Sequence, residues 1–282
     1  MVMAKKIGFA LRLSLFLTIL AAAFFFVWRV NVGPTAEGSV EVFFIETKSD
    51  ANAILLKQGE AVILVDTGEE VDAPAITAFL REQLVSVIDY LVLTHPDQDH
   101  IGGAPALLEQ FEVRYVIQPY YAKENVLAGA LRQTIDSLGV AQIYPTRPRS
   151  FTCGQMQMTV YPPLEKHYRK DNNYSLALWI KHGKVDMAFA GDAEEKRLNE
   201  LMQIHWPAVQ LYQVAHHGRA SRSSGLLIEQ LRPQYAVITA SDGDQAVQDA
   251  LKQVGARIFY TGDGTQQFVS DGKTMVYVER RP

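Results

Sequence analysis

The sequence holds one cysteine, Cys153, in 282 residues. A single thiol excludes an intrachain disulfide and every cysteine-rich zinc module, so a bound metal would have to rely on imidazole and carboxylate. Cys153 itself is expected as a small buried residue. Surplus positive charge is missing too. The formal net charge is −4, and Lys5, Lys6, Arg12 and Arg29 all precede the first acidic residue, Glu37, which leaves −8 for the remainder. That excludes a broad basic face holding nucleic acid by phosphate neutralisation alone; a polyanion would need a local grip. Histidine is also scarce, with seven in all, which makes any grouping of histidines informative.

Long apolar runs are confined to one place. Residues 7–28 are almost wholly apolar, with Arg12 the one charge among them, and Lys5 and Lys6 stand just before them. Twenty-two helical residues reach about 33 Å, enough for a hydrocarbon core of about 30 Å if Arg12 extends toward the lysines. The charge order leaves the N-terminus in the cytoplasm and the following domain outside. A cleaved signal peptide is the alternative, with a secreted or periplasmic product. Ala21, Ala22 and Ala23 supply small residues for it, but Phe24, Phe25, Phe26, Val27 and Trp28 follow directly and would leave a sticky terminus. We therefore expect a single-pass cytoplasmic-membrane anchor over 1–30, a linker over 31–39, and one extracytoplasmic domain over 40–282.

From residue 40 onward, short β-branched and aromatic runs predict strands at 40–45, 53–56, 61–65, 90–94, 151–161, 175–182, 185–190, 211–215, 235–239 and 275–278. Helices are expected at 73–84, where Ile76, Phe79, Leu80 and Leu84 recur at helical spacing, and at 194–203, 225–231 and 245–254. Helix alternating with strand gives an α/β (α+β) class. Two halves of this kind fit a four-layer sandwich of two sheets between helical layers.

The strongest local signal follows the strand at 90–94: Thr94-His95-Pro96-Asp97-Gln98-Asp99-His100-Ile101-Gly102-Gly103. Two imidazoles and two carboxylates crowded into six residues repel one another and are costly to bury unless a cation joins them. Gly102 and Gly103 are expected to let the chain turn sharply into the next helix. Further ligand types end other apolar strands, as Gly191-Asp192 and as His216-His217-Gly218, the place where open α/β sheets gather their sites. His167, His182 and His205 lack such company and are expected at the surface or in satisfied core positions. Asp66, ending the strand at 61–65, is expected to orient the ligand loop by hydrogen bonding. Arg219, Ser221, Arg222 and Ser223 follow the histidine pair closely and are expected to bind substrate phosphate.

These residues resemble the metallo-β-lactamase superfamily, whose ligand loop reads H-x-H-x-D-H. More narrowly, they resemble the hydrolase domain of the competence protein ComEC and its free-standing relatives, in which aspartate replaces the second histidine. The likeness continues through 64–68, 172–176, 190–194, 215–218 and 231–238. It implies a four-layer αββα sandwich with two divalent ions, zinc or manganese. His95 and Asp97 would hold one, Asp99 and His100 the other, with Asp192 bridging. His216 would complete the second set, with His217 as the reserve. The family's third histidine at the first metal is absent. Asn172 and Asn173 stand in that region, so the first metal would either be weakly held or be satisfied by an asparagine amide oxygen, with Asn173 expected to support the site as Asp66 does. Close relatives also carry an asparagine and a His-Pro element where this chain has 241–247.

The implied activity is metal-dependent phosphodiester hydrolysis with single-stranded nucleic acid as substrate, Asp99 serving as the catalytic carboxylate that orients the attacking hydroxide. Two alternatives stand beside it. One is hydrolysis of a lactone, lactam or thioester; the other is a non-catalytic membrane-tethered binding module with a degraded metal site.

Overall fold

A computed structural model describes residues 38–121, 123 and 125–280. The expected anchor and most of the linker lie outside the described residues. Gly38–Pro282 forms one compact unit. No helix among the described residues is long and apolar enough to cross a membrane.

The first half lays down β1 (Val40–Phe44), β2 (Ile54–Gln58), β3 (Ala61–Val65), α1 (Ala73–Glu82), β4 (Val87–Val92), α2 (Gln98–Ile101), α3 (Ala104–Gln110), β5 (Glu112–Ile117), α4 (Val126–Leu138) and β6 (Ala141–Ile143). The second half adds β7 (Arg149–Cys153), β8 (Met156–Tyr161), β9 (Ala177–His182), β10 (Val185–Phe189), α5 (Glu195–Leu201), β11 (Leu211–Gln213), α6 (Ser224–Leu231), β12 (Tyr235–Ile238), α7 (Gln245–Gln253), β13 (Arg257–Tyr260), β14 (Gln266–Ser270) and β15 (Met275–Val278). One sheet runs β15-β14-β1-β2-β3-β4-β5-β6 and the other β13-β12-β11-β10-β9-β8-β7.

Period-two alternation builds the sandwich. Val40, Val42 and Phe44 of β1 face the second sheet, where Met158, Leu178, Met187 and Phe189 meet them. Phe44 stacks on Phe189 across the interface with ring centroids 6.2 Å apart. The opposite face of the first sheet, with Phe43, Leu55 and Leu64, packs on Ile76 and Leu80 of α1, Leu107 of α3 and Leu131 and Ile135 of α4. The outer face of the second sheet packs on Leu198, Leu227 and Leu251 from α5, α6 and α7. The result is a four-layer αββα arrangement, as expected.

Several boundaries differ from expectation. The run at 151–161 is a hairpin rather than one strand, because Gly154 turns the chain with a φ of 57°. Helix α1 stops at Glu82, and Leu84 is 76% exposed in a left-handed conformation instead of sealing the helix face. Strands β5, β6, β13 and β14 and helix α4 were not foreseen. β6 has three residues, and Glu112, Arg114, Gln266 and Gln267 interrupt the apolar patterns of β5 and β14.

Four strands position the site. β3 pairs parallel with β4, and β10 pairs parallel with β11. Parallel neighbours end at the same edge of a sheet, so residues that follow these strands collect at one rim of the sandwich.

Candidate metal centre

Asp66 follows β3 in a left-handed conformation with a φ of 59°, which costs of order 1–3 kcal/mol and persists only where surroundings over-determine it. Its fully buried carboxylate does so. Oδ1 accepts the Thr94 backbone N–H at 2.7 Å, while Oδ2 accepts from the Thr94 hydroxyl at 2.8 Å and the Asn52 amide at 2.7 Å. Oδ2 also lies 2.7 Å from His100 Nδ1. That bond fixes the imidazole so that Nε2 points the other way.

Asp97 precedes α2, and Asp99 and His100 lie within it. Gly102 and Gly103 have ordinary helical φ values of −61° and −79°, so they do not supply the sharp turn expected of them. Close approach explains them instead. A Cβ on Gly103 would sit 2.3 Å from the Thr67 carbonyl oxygen, and one on Gly102 within 2.8 Å of the Glu70 nitrogen. The ligand loop is thereby pressed onto the chain leaving β3.

Asp192 follows β10, and its backbone N–H donates to the Ser175 hydroxyl at 3.0 Å. His216 and His217 lie in the turn Ala215–Gly218 after β11, both left-handed, with φ of 53° and 51°. This conformation sends the two rings apart. His217 is buried and its Nδ1 is 3.0 Å from both the carbonyl and the hydroxyl of Thr239, which frees Nε2 for the rim.

Four residues converge there. Asp99, His100, Asp192 and His217 bring one ligand atom each within 4.8 Å of one another. His217 Nε2 lies 3.1 Å from Asp99 Oδ2 and 3.3 Å from Asp192 Oδ2; His100 Nε2 lies 3.1 Å from Asp192 Oδ1 and 3.6 Å from Asp99 Oδ2. His95 adjoins them, its Nε2 3.4 Å from Asp97 Oδ2 and 4.0 Å from Asp192 Oδ2. The expected preference for His216 is therefore reversed: the ring brought into the cluster is that of His217.

The donor set fits a divalent cation. Nε2 of His95, His100 and His217 and Oδ1 of Asp192 are buried without a hydrogen-bond partner, although ion-pair distances separate them. They are near one another but not aimed at one another, the mark of groups directed at a shared point. Separations of 3.1–3.6 Å bracket the spacing of about 3.4 Å between neighbouring ligands of a tetrahedral ion held at about 2.1 Å.

Without an ion the electrostatics tell the same story. Burial opposes charge on His217, yet the adjacent carboxylates, Asp192 foremost and Asp99 beside it, push its pKa up to about 10. Burial likewise opposes charge on His100, but Asp192 and Asp66 hold its pKa well above the usual value. Burial would raise the pKa of Asp192, and His217 and His100 drive it well below the carboxylate range. Protons on imidazole thus do the neutralising that a cation would do.

Other expected site residues lie elsewhere. The Asn173 amide oxygen accepts the Arg197 backbone N–H at 2.9 Å, so it does not fill the place of the missing third histidine. It reaches the cluster only indirectly, because buried Arg197 donates to the Ser175 carbonyl at 2.9 Å and Ser175 holds Asp192. Half of the expected phosphate-binding run is engaged within the protein. Arg219 pairs with Asp242 and Asp244, and buried Ser223 bonds Glu195 and Asn199; the Ser221 N–H donates to the Ser224 hydroxyl, but the Ser221 hydroxyl and the exposed Arg222 side chain have no such partner among the described residues.

Supporting residues went unforeseen. The Thr94 hydroxyl lies 3.2 Å from Nδ1 of both His95 and His100, and buried Gln213 accepts the N–H groups of Ala190 and Gly191, each at 2.9 Å. Thr94 adjoins the histidine motif and was open to notice; Gln213 sits inside an apolar strand with nothing local to mark it.

Fold and site together define a chain of the metallo-beta-lactamase superfamily, and it belongs to that family, whose model matches residues 47–241. Members of this family typically are metal-dependent hydrolases, and the candidate cluster is of the kind that binds their divalent ions. The chain is similar to ComE operon protein 3 of Bacillus subtilis, 30% identical over 210 residues, covering 71% of this chain and 26% of that protein. It is also similar to competence protein ComA of Neisseria gonorrhoeae, 24% identical over 262 residues, covering 89% of this chain and 35% of that one. The chain thus spans about a quarter to a third of those relatives. Among solved structures it resembles the metallo-beta-lactamase fold protein YhfI of Bacillus subtilis, with a TM-score of 0.56, 12% identity, and 82% and 99% of the two chains covered. The diiron beta-hydroxylase CmlA of Streptomyces venezuelae is similar at a TM-score of 0.50 and 14% identity, covering 83% of this chain and 54% of that one.

Proposed function

We propose that this chain is a metal-dependent phosphodiesterase that cleaves single-stranded nucleic acid outside the cytoplasmic membrane. The observation that carries the reading is a cluster of mixed imidazole and carboxylate donors, with aspartate at position 97 beside it, in a chain whose relatives include a protein named for competence. Lys5 and Lys6 before the apolar run at 7–28 support the extracytoplasmic location.

His100, Asp99, Asp192 and His217 would hold one ion and His95 and Asp97, with Asp192 shared, a second. When bound, such ions acidify a water and neutralise charge on phosphoryl oxygens. Asp66 and the Thr239 carbonyl keep Nε2 of His100 and His217 turned to the site. Asp99, with about a third of its side chain open to solvent, is the carboxylate placed to accept a hydrogen bond from an attacking water. Carboxylate at 97 makes the donor set harder than one with imidazole there, which suits manganese as well as zinc.

The test is cleavage of a single-stranded oligonucleotide and of bis-p-nitrophenyl phosphate by the full chain in detergent, with zinc or manganese supplied and then chelated. Metal-dependent turnover that Asp99→Ala abolishes is expected. No turnover of either substrate with either metal would refute the hydrolase, and nitrocefin turnover alone would move it to the lactam class.

A further inference from the structure

Next to the candidate metal centre lies a groove of about 1120 Å³, slightly larger than the roughly 300–1,000 Å³ of ordinary ligand sites. His95 and Pro96 form part of its wall, so it opens beside the cluster. Across it stand Tyr120, Tyr144 and, on helix α4, Val126, Gly129 and Arg132.

Gly129 is the telling residue. It sits inside a helix, where glycine is less favourable than alanine by about 1 kcal/mol. Nothing crowds it, since a Cβ there would meet no atom within 4 Å. Packing therefore does not require glycine; what its missing side chain provides is an open groove. The aromatic walls are similarly set for a ligand. Tyr120, on the groove wall, is 56% exposed. The Tyr144 hydroxyl donates to Gln142 at 2.7 Å and accepts from Gln118 at 3.0 Å, which holds that ring in place. Of the cations, Lys123 is engaged by Asp171, while Arg132 is an exposed residue whose side chain reaches the Tyr144 hydroxyl.

We propose that this groove is a nucleoside-binding site that takes a base of the strand next to the scissile phosphate, with Tyr120 and Tyr144 as stacking surfaces and Arg132 on the backbone phosphate. The proposal rests on the phosphodiesterase reading. Flat apolar walls with exposed phenol rings suit a base, because stacking tolerates any sequence. A guanidinium at the rim and a metal centre alongside suit the phosphates that flank it. The domain's net negative charge makes such a local grip necessary.

The test is fluorescence anisotropy with a labelled hexathymidylate carrying phosphorothioate linkages, titrated into the metal-loaded full chain in detergent. Gly129→Leu fills the groove and is expected to weaken binding about 10-fold or more; Tyr120→Ala and Arg132→Ala should each weaken it about 5-fold or more. Gly129→Leu should melt no lower than the unaltered chain, which separates a blocked groove from a damaged fold, and Gly129→Ala should melt higher. Oligonucleotide affinity unchanged in Gly129→Leu and Tyr120→Ala overturns the proposal, including the case in which the groove proves to hold a peptide or an acyl chain. Hydrolysis of bis-p-nitrophenyl phosphate by the unaltered chain reports on the hydrolase separately, so groove binding without turnover would fault the function and leave the site standing.

Discussion

Stripping metal from this protein should destabilise it, and more so at alkaline than at neutral pH. In the metal-free state four buried atoms of the site, Nε2 of His95, His100 and His217 and Oδ1 of Asp192, lack hydrogen-bond partners, and each such group costs roughly 1–3 kcal/mol. An ion present at 1,000 times its dissociation constant contributes about 4 kcal/mol of stability. For a domain of this size each kcal/mol moves Tm by about 2–4 °C, so metal should raise Tm by roughly 8–16 °C. Protons soften the loss at neutral pH. The His217 pKa in the metal-free fold is raised from 6.5 to about 10, and that of His100 is raised too. A raised folded-state pKa gives stabilisation that is complete below the unfolded value and disappears as pH climbs through the folded one. For His217 the span from 6.5 to about 10 is worth at most about 5 kcal/mol. The metal-free protein should therefore lose stability between about pH 6.5 and 10, whereas the loaded protein, its imidazoles held by the ion, should lose much less. The assay is differential scanning fluorimetry of the full chain with EDTA, zinc or manganese at pH 6.5, 8 and 9.5. His217→Ala should erase most of the metal increment and His216→Ala should keep it. A Tm indifferent to both metals at every pH, or a metal-free Tm that rises with pH, would refute the reasoning.

Two further outcomes test the supporting residues. Asp66→Ala removes the acceptor of the Thr94 N–H and the partner of His100 Nδ1, so metal affinity measured by competition with a chromophoric chelator should fall about 10- to 100-fold; an unchanged affinity would show that Asp66 does not orient the ligand. Arg197→Ala leaves Glu200 buried without its ion-pair partner and the Ser175 carbonyl without its donor. Truncating one member of such a pair costs about 3–5 kcal/mol, so the urea midpoint should drop clearly, and a midpoint within error of the unaltered chain would deny Arg197 that role.

Order along the chain was enough to mark the ligand loop, because apolar strands advertise themselves by composition and the residues that end them are the ones a parallel sheet brings to its edge. Asp66, His95, Asp97, Asp99, His100 and Asp192 were all open to notice on that ground, as were the four layers. The choice between His216 and His217 was not. Adjacent identical side chains differ only in backbone torsion, and a turn with two left-handed residues, backed by Thr239 just past β12, decides which imidazole reaches the rim. The same holds for Gly102 and Gly103, whose need is set by the backbone of 67–70 rather than by their own turn, and for Asn173 and Ser223, whose polar atoms are taken by partners between 24 and 28 residues away. Composition and periodicity record what a residue is able to do; which groups are left with unused hydrogen-bonding capacity depends on every neighbour at once, and only the folded chain supplies those neighbours.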